Sequence, residues 1–332
     1  MKKFKKISLI SIIFIIIFGV GSFLLYNEIT IIVISKQFHN ENKYKTAKAI
    51  FDYTRLNIPF AKFTFGPIYD NILGPIERTS GYCDQQSNFF VQICEASNIN
   101  ARMLMLNCWD SISCHTLAEV KIKNKWILFD LTYGYIFKYH NKLLSKDELY
   151  NYKFLLDSIY FSYYKPKFYT TGKVEYLSYK RKIVYNILNF LYPIFSNFRN
   201  IYQDIYLFFS TLNQQKNEKL FKIARHYQLY NRFDKAIIYY KKLQKIKNYK
   251  YNDRTLYLLS LIYIKQNKIE LAKKTLINLV SKYPNSSIKD IAYYLLYLYS
   301  KNKDEKNNFL SKSNYFDALL IKDKNFSQFF KR

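Results

Sequence analysis

Three residues in the sequence, Cys83, His115 and Asp130, are of the types that carry out thiol chemistry. Gly81 allows a tight turn just before Cys83, and the residues that follow have a helical pattern, so Cys83 is predicted to begin a helix. At a helix N-terminus, the unpaired backbone N–H groups and the helix dipole stabilise a thiolate. A cysteine in this position becomes a nucleophile when a base lies within hydrogen-bonding distance and an acceptor orients that base.

Three short segments after this helix are predicted to be antiparallel strands: 101–106, 116–122 and 125–131. Asn124 suits the turn between the last two. His115 stands at the start of one strand of this hairpin and Asp130 at the end of the other, so the turn would bring them nearly opposite each other. His115 could then deprotonate Cys83 while Asp130 fixes the imidazole tautomer. A helix followed by antiparallel strands is an α+β arrangement.

The residues around this set resemble the transglutaminase-like superfamily over about residues 40 to 140. The family patterns G-x-C, G-I-x-A-R, H-x-W-x-E-V and W-x-x-x-D-x-T are matched in this order by segments starting at Gly81, Asn98, His115 and Trp126. Two positions depart from these patterns. Leu117 replaces an aromatic residue, and Asn98 replaces the glycine that ends the helix, a position where Asn can adopt the left-handed conformation.

The resemblance implies a papain-like fold in which Cys83 is the nucleophile, His115 the general base and acid, and Asp130 the orienting carboxylate. It gives Arg102 and Glu119 structural roles. It also implies acyl transfer or hydrolysis at amide bonds of peptides or proteins, a reaction that requires no cofactor. The departures from the patterns affect the expected specificity more than the expected catalysis, because all three site residues are present.

The other cysteines do not indicate a metal or redox site. Cys94, Cys108 and Cys114 form no C-x-x-C pair with each other or with Cys83. Cys108, Cys114 and His115 would offer zinc three ligands on one loop without a fourth, so no metal is predicted. Cys94 follows Cys83 by about three helical turns and is expected to be a buried cysteine on the same face.

The N-terminus predicts a membrane anchor. Four lysines between positions 2 and 6 precede an uncharged apolar run from Ile7 to Leu25, long enough to cross a bilayer. The positive-inside rule then places the N-terminus in the cytoplasm and the bulk of the chain outside it. A cleaved signal peptide, with Gly19 to Gly21 near the cleavage site, is the alternative and would give a secreted or periplasmic protein. A second apolar run, 183–198, is interpreted as a packed or interfacial helix pair, with a second crossing as the alternative.

The chain is strongly basic, with 52 Lys and Arg against 24 Asp and Glu and a net charge of +28. Such a charge indicates an anionic partner, and for an exported chain an anionic lipid or wall polymer fits better than nucleic acid. A compositional bias of the genome would produce the same charge, since the basic residues are spread along the chain.

The C-terminal third contains an internal repeat. The segment that begins at Asn231 is echoed from Asn267, 36 residues further on, and small residues at Ala236 and Ala272 keep the same offset. A degenerate third turn follows at Asn302. These features resemble tetratricopeptide repeats, whose period is 34 residues and whose concave groove binds proteins. An unrelated helical bundle is the alternative.

The sequence therefore predicts an α+β transglutaminase-like, papain-like domain and an all-α repeat domain behind an N-terminal transmembrane helix. The expected divisions are the anchor at 1–36, the thiol domain at 37–142, a helical connection at 143–214 and the repeats at 215–320. The leading hypothesis is a membrane-anchored, extracytoplasmic thiol enzyme that acts on peptides or proteins. The alternatives are an inactive scaffold whose repeats bind a partner protein, and a module that binds lipid or wall polymer through its basic surface.

Overall fold

The computed structural model describes residues 25–60, 71–107, 113–140, 142–151 and 172–315. The helices in these segments, numbered along the chain, are α1 Tyr26–Ser35, α2 Lys43–Asn57, α3 Gly74–Arg78, α4 Cys83–Ala96, α5 Lys146–Asn151, α6 Tyr179–Phe195, α7 Arg199–Ser210, α8 Lys216–Leu229, α9 Phe233–Gln244, α10 Asn252–Lys265, α11 Ile269–Lys282, α12 Lys289–Tyr299 and α13 Lys303–Lys312. The strands are β1 Ala101–Asn107, β2 Ser113–Ile122, β3 Lys125–Asp130, β4 Tyr135–Ile136, β5 Lys138–Tyr139, β6 Lys142–Leu143 and β7 Gly172–Tyr176. The predicted combination of an α+β domain and an all-α region is confirmed.

The main sheet has the strand order β4-β3-β2-β1-β7 in the described part of the chain, and all its pairs are antiparallel. β1, β2 and β3 fall where the sequence predicts strands. β7 comes from the region that the sequence analysis assigned to a helical connection, so the sheet extends beyond the expected boundary at residue 142. Pairing between β1 and β7 joins segments about 70 residues apart, and no local pattern specifies such a contact.

Helix α4 packs on one face of this sheet and forms the centre of the first core. Its apolar face, which includes Phe89, Phe90 and Ile93, is completely buried. Asn98 then ends the segment with φ 58°, the left-handed conformation expected from its side chain. The rings of Phe90 and Phe129 lie 5.3 Å apart and connect the helix to β3. This contact helps to position α4 on the strands that carry the other site residues.

Helix α1 lies inside this core and differs from the expectation that residues 1–36 form an anchor. Ile31, Ile32 and Ile34 are completely buried. The Tyr26 hydroxyl lies 2.7 Å from Nδ1 of His226 in the repeat region. The predicted crossing at 7–25 lies, except for Leu25, outside the described residues. Of the helices that are described, none is both long and apolar enough to cross a membrane.

The repeat region consists of antiparallel helix pairs within the described residues, α8 with α9, α10 with α11 and α12 with α13. Ala224, Ala236, Ser260 and Ala272, which share the repeat offset, are at most 1% exposed and allow the paired helices to approach closely. Asn231 and Asn267 adopt φ 58° at equivalent turns. The predicted internal repeat therefore corresponds to a structural repeat, and the degenerate third turn begins α13 with an Asn302 side-chain cap.

Candidate active site

Cys83 is the first residue of α4, as the sequence predicts. Its backbone N–H belongs to the first turn, where no intrahelical acceptor is available. Gly81 precedes it for a reason of packing, because a Cβ at this position would come within 2.7 Å of Cγ2 of Ile58. The Gly81 N–H donates to the Pro59 carbonyl at 3.1 Å, which holds the chain beside the end of α2. Gly81 thus holds the residues just before α4 against the end of α2.

His115 and Asp130 meet across the β2–β3 hairpin. Nε2 of His115 lies 2.9 Å from Oδ2 of Asp130, and the Asp130 side chain is completely buried. Oδ1 of Asp130 accepts a hydrogen bond from the Tyr133 N–H at 3.0 Å, so both carboxylate oxygens have partners. His115 also interacts with the Cys83 thiol. Because Nε2 faces Asp130, Nδ1 is the ring nitrogen available to Cys83.

The charge state of His115 follows from these contacts. Burial of the ring lowers its pKa, but the charge of Asp130, the hydrogen bond to that carboxylate and the contact with Cys83 outweigh burial and raise the pKa of His115 to about 10. His115 is therefore an imidazolium at neutral pH. A positive charge beside a cysteine at a helix N-terminus favours the thiolate. His115 thus holds its proton next to Cys83, the residue that begins α4.

A second set of contacts, which the sequence analysis did not single out, joins the elements that carry the three residues. Gln86, one turn after Cys83, donates to the Ile58 carbonyl at 2.7 Å and accepts from the Thr132 hydroxyl at 2.9 Å. The Ser87 hydroxyl donates to the Thr116 carbonyl at 3.0 Å, next to His115. Gln86 and Ser87 are almost completely buried. In the sequence, the only indication of a role for Gln86 is its position one turn after Cys83.

Arg102 and Glu119 have structural roles, as the resemblance implies. Nε of Arg102 lies 2.7 Å from Oε2 of Glu119 across β1 and β2. The guanidinium also stacks on the Trp126 ring, 4.0 Å from its centroid, and donates to the Tyr176 hydroxyl at 2.6 Å. These contacts tie β1, β2, β3 and β7 together. Leu117, where the family pattern has an aromatic residue, is completely buried.

Cys94 differs from Cys83 in its surroundings although both belong to α4. It is completely buried, and burial raises the pKa of its thiol well above the ordinary value. Cys108 lies outside the described residues, as does the side chain of Cys114. The structure therefore does not describe two of the three side chains considered as zinc ligands. Among those it does describe, no group of three or more His, Cys, Asp or Glu side chains could hold a metal ion.

The repeat region is packed against the segments that precede the site. Arg225 of α8 is completely buried and donates to the carbonyls of Ile76 and Asn57 at 2.8 and 3.3 Å. His226, also buried, lies 2.6 Å from the Glu77 carboxylate. Burial raises the pKa of Glu77, but His226 and nearby basic side chains more than offset this effect and lower it.

Comparisons with known proteins agree with this organisation. A family model described as "Transglutaminase-like superfamily" matches residues 34–131, and one described as "Tetratricopeptide repeat" matches residues 254–286. The protein therefore contains a transglutaminase-like domain followed by a tetratricopeptide repeat, in the order that the sequence predicts. No curated protein and no solved structure matched the chain.

Proposed function

We propose that this protein is a thiol enzyme that acts on amide bonds of peptides or proteins, with Cys83 as nucleophile, His115 as proton carrier and Asp130 as the residue that orients it. The observation that carries the proposal is the 2.9 Å contact between His115 and buried Asp130, with the remaining nitrogen of His115 available to Cys83. Members of the transglutaminase-like superfamily typically are cysteine-dependent acyltransferases or peptidases.

In the proposed reaction, Cys83 acts as a thiolate beside the protonated His115. The Cys83 thiolate attacks the amide carbonyl, and the Cys83 N–H, which has no intrahelical acceptor, is a donor for the resulting oxyanion. The C–N bond then breaks, and the amine or ammonia leaves with the proton of the His115 imidazolium. Neutral His115 next takes a proton from water or from a second amine. That nucleophile attacks the thioester, releases the Cys83 thiolate and leaves the imidazolium restored.

We also propose that the apolar run 7–25 anchors the protein in a membrane. The thiol domain and the repeats then lie outside the cytoplasm. The run is of the required length, and the lysines that precede it give the orientation. The repeats would recruit a partner protein or the substrate, since tetratricopeptide repeats present a concave groove for such contacts. The basic surface would favour an anionic lipid or wall polymer nearby.

The activity is tested with the full-length protein in detergent, an unstructured test protein and a fluorescent primary amine. Incorporation of the amine reports transfer, and release of ammonia or of new chain ends reports hydrolysis. Cys83→Ala should lower turnover by about 1,000-fold or more without unfolding the protein. Cys94→Ala is the matched control, because it removes a thiol from the same helix. Turnover that survives Cys83→Ala would exclude the nucleophile assignment.

A scaffold without catalysis is the second candidate, and the packing of the repeats against the thiol domain favours it. Arg225 and Tyr257 of the repeats bond to carbonyls of the thiol domain, so the two parts present one continuous surface. A scaffold requires partner binding that is unaffected by Cys83→Ala and a thiol that reacts no faster than an ordinary cysteine. Retained binding together with a slow thiol would support this function.

A further inference from the structure

Helices α6 and α7 expose a row of large apolar side chains. Phe190 is 81% exposed and Ile194 is 65% exposed. We call this row the helix-pair face; it consists of Ile183, Ile187, Phe190, Leu191, Ile194, Phe198, Ile201, Ile205, Phe208, Phe209 and Leu212. These are most of the exposed large apolar residues among those that the structure describes, and they are concentrated in 30 residues of sequence.

The spacing of the face shows that it is a continuous surface of each helix. In α6 it recurs at intervals of three to four residues from Ile183 to Ile194, while Tyr185 and Leu188 on the opposite side are buried. Tyr185 donates to Gln92 of α4 at 2.7 Å, which fixes the inner side of the helix. Helix α6 thus has one side in the protein core and an apolar side directed away from it. In α7, Gln203 and Leu207 are buried, and the members of the face are exposed on the other side.

The size of the face sets it apart from ordinary surface. Aromatic side chains bury roughly 150–250 Å² each when covered and Ile and Leu somewhat less, so eleven that are about half exposed leave on the order of 1,000 Å² accessible. The largest apolar patch of a typical monomer covers about 300–600 Å². A surface of this size and composition requires an apolar environment to cover it.

The position of the face favours a bilayer as this environment. The predicted membrane span ends at Leu25, and the ring of Tyr26, the next residue, lies 5.7 Å from that of Tyr202 in α7. The span would therefore leave the membrane beside this helix. Lys36, at the other end of α1, sits over the Tyr192 ring of α6 at 5.3 Å. Both helices thus lie next to α1, immediately after the span.

The charges around the face agree with an anionic surface. Lys180 and Arg181 stand at the start of α6, whereas no member of the face is charged. Asp204 is the acidic residue in α6 and α7, and it is paired with Arg232 of the repeats at 2.7 Å. Basic side chains beside an apolar helix face bind the headgroups of anionic lipids while the apolar side enters the acyl boundary.

We infer that the helix-pair face lies in the interface of an anionic lipid bilayer and docks the thiol domain on the membrane next to its anchor. This inference rests on the membrane anchor of the proposed function and adds a second point of attachment. Cys83 begins α4, whereas α6 contacts that helix near its other end, at Gln92 and Ala96. Docking would leave the nucleophile at the end of α4 away from α6.

Tryptophan quenching tests the inference. Full-length Phe190→Trp is reconstituted into liposomes of phosphatidylcholine and phosphatidylglycerol with brominated acyl chains, and the emission of the parent protein is subtracted. Insertion of the face should reduce the added emission at least about twofold relative to unbrominated liposomes. Leu298→Trp is the matched control, because Leu298 is an exposed apolar residue, 42% exposed, that lies in α12 of the repeats and not in the helix-pair face. Its added emission should be unchanged.

Carbonate extraction separates failure of the anchor from failure of the inference. Protein that resists extraction but shows no quenching at position 190 would overturn the docking proposal and leave the anchor in place, with another part of the chain or a second copy covering the face. If carbonate releases the protein, the anchor is contradicted but the docking proposal is not. Docking is then tested by flotation with anionic brominated liposomes at low salt. Quenching at position 190 in that experiment would support docking, and no quenching would overturn the inference.

Discussion

At the residue scale, the site depends on an imidazolium held between a carboxylate and a thiol. His115 is 11% exposed and Asp130 is buried, so their interaction is poorly screened. Because the pKa of His115 is about 10 in the folded protein and near 6.5 in an unfolded chain, its proton stabilises the fold fully below pH 6.5. This contribution is lost as the pH rises toward 10. The sequence predicts the three residues, with His115 as the base; the charge of His115 depends on its 2.9 Å contact with the buried Asp130 carboxylate, which the sequence does not show.

The ionisation of His115 is directly observable. We predict that its ring stays protonated through pH 8, and that Asp130→Asn lowers the midpoint by at least about one pH unit because the main charge that holds the proton is removed. Nitrogen NMR of the imidazoles, with His115→Gln to assign the signal among four histidines, measures both values. A wild-type midpoint near 6.5 would contradict the raised pKa of His115.

At the element scale, the position of Cys83 depends on the approach of Gly81 to α2. Alanine at this position would meet Cγ2 of Ile58 at 2.7 Å, so Ile58 or the start of α4, which carries Cys83, must shift. We expect Gly81→Ala to cost about 1–3 kcal/mol in the free energy of unfolding. The rate of Cys83 alkylation should fall at the same time. Chemical denaturation and iodoacetamide labelling measure the two effects, and Gly74→Ala, at the start of α3, is the control. An unchanged labelling rate would show that α4 is positioned in another way.

Some of these elements follow from local sequence and others depend on contacts between distant segments. Helix α4 and strands β1 to β3 followed from local periodicity and turn residues. Strand β7 did not, because its pairing partner β1 is distant in sequence. Helix α1 was assigned to the anchor because a run of isoleucines is equally apolar whether lipid or protein surrounds it, and only the packing against α4 and the repeats distinguishes the two.

At the scale of the whole molecule, the buried Arg225 connects the repeats to the thiol domain. Arg225→Ala would leave the carbonyls of Ile76 and Asn57 without this donor, in a region from which water is excluded. We expect a loss of about 2–5 kcal/mol in the free energy of unfolding and earlier proteolytic release of the repeats. Lys241→Ala, on the exposed side of α9, is the control and should have little effect. Equal stability of the two variants would show that the contact is dispensable.

The pH dependence of Cys83 alkylation by iodoacetamide decides whether Cys83 and His115 form an activated pair. The full-length chain is required, because a fragment starting at residue 37 would lack the buried helix α1. Buried Cys94 gives the rate of an inert thiol in the same protein. We predict a Cys83 rate that persists below pH 7 and falls in His115→Ala. A rate that follows an ordinary thiol with a pKa of ~8.5 and does not change in His115→Ala would show that His115 does not activate Cys83.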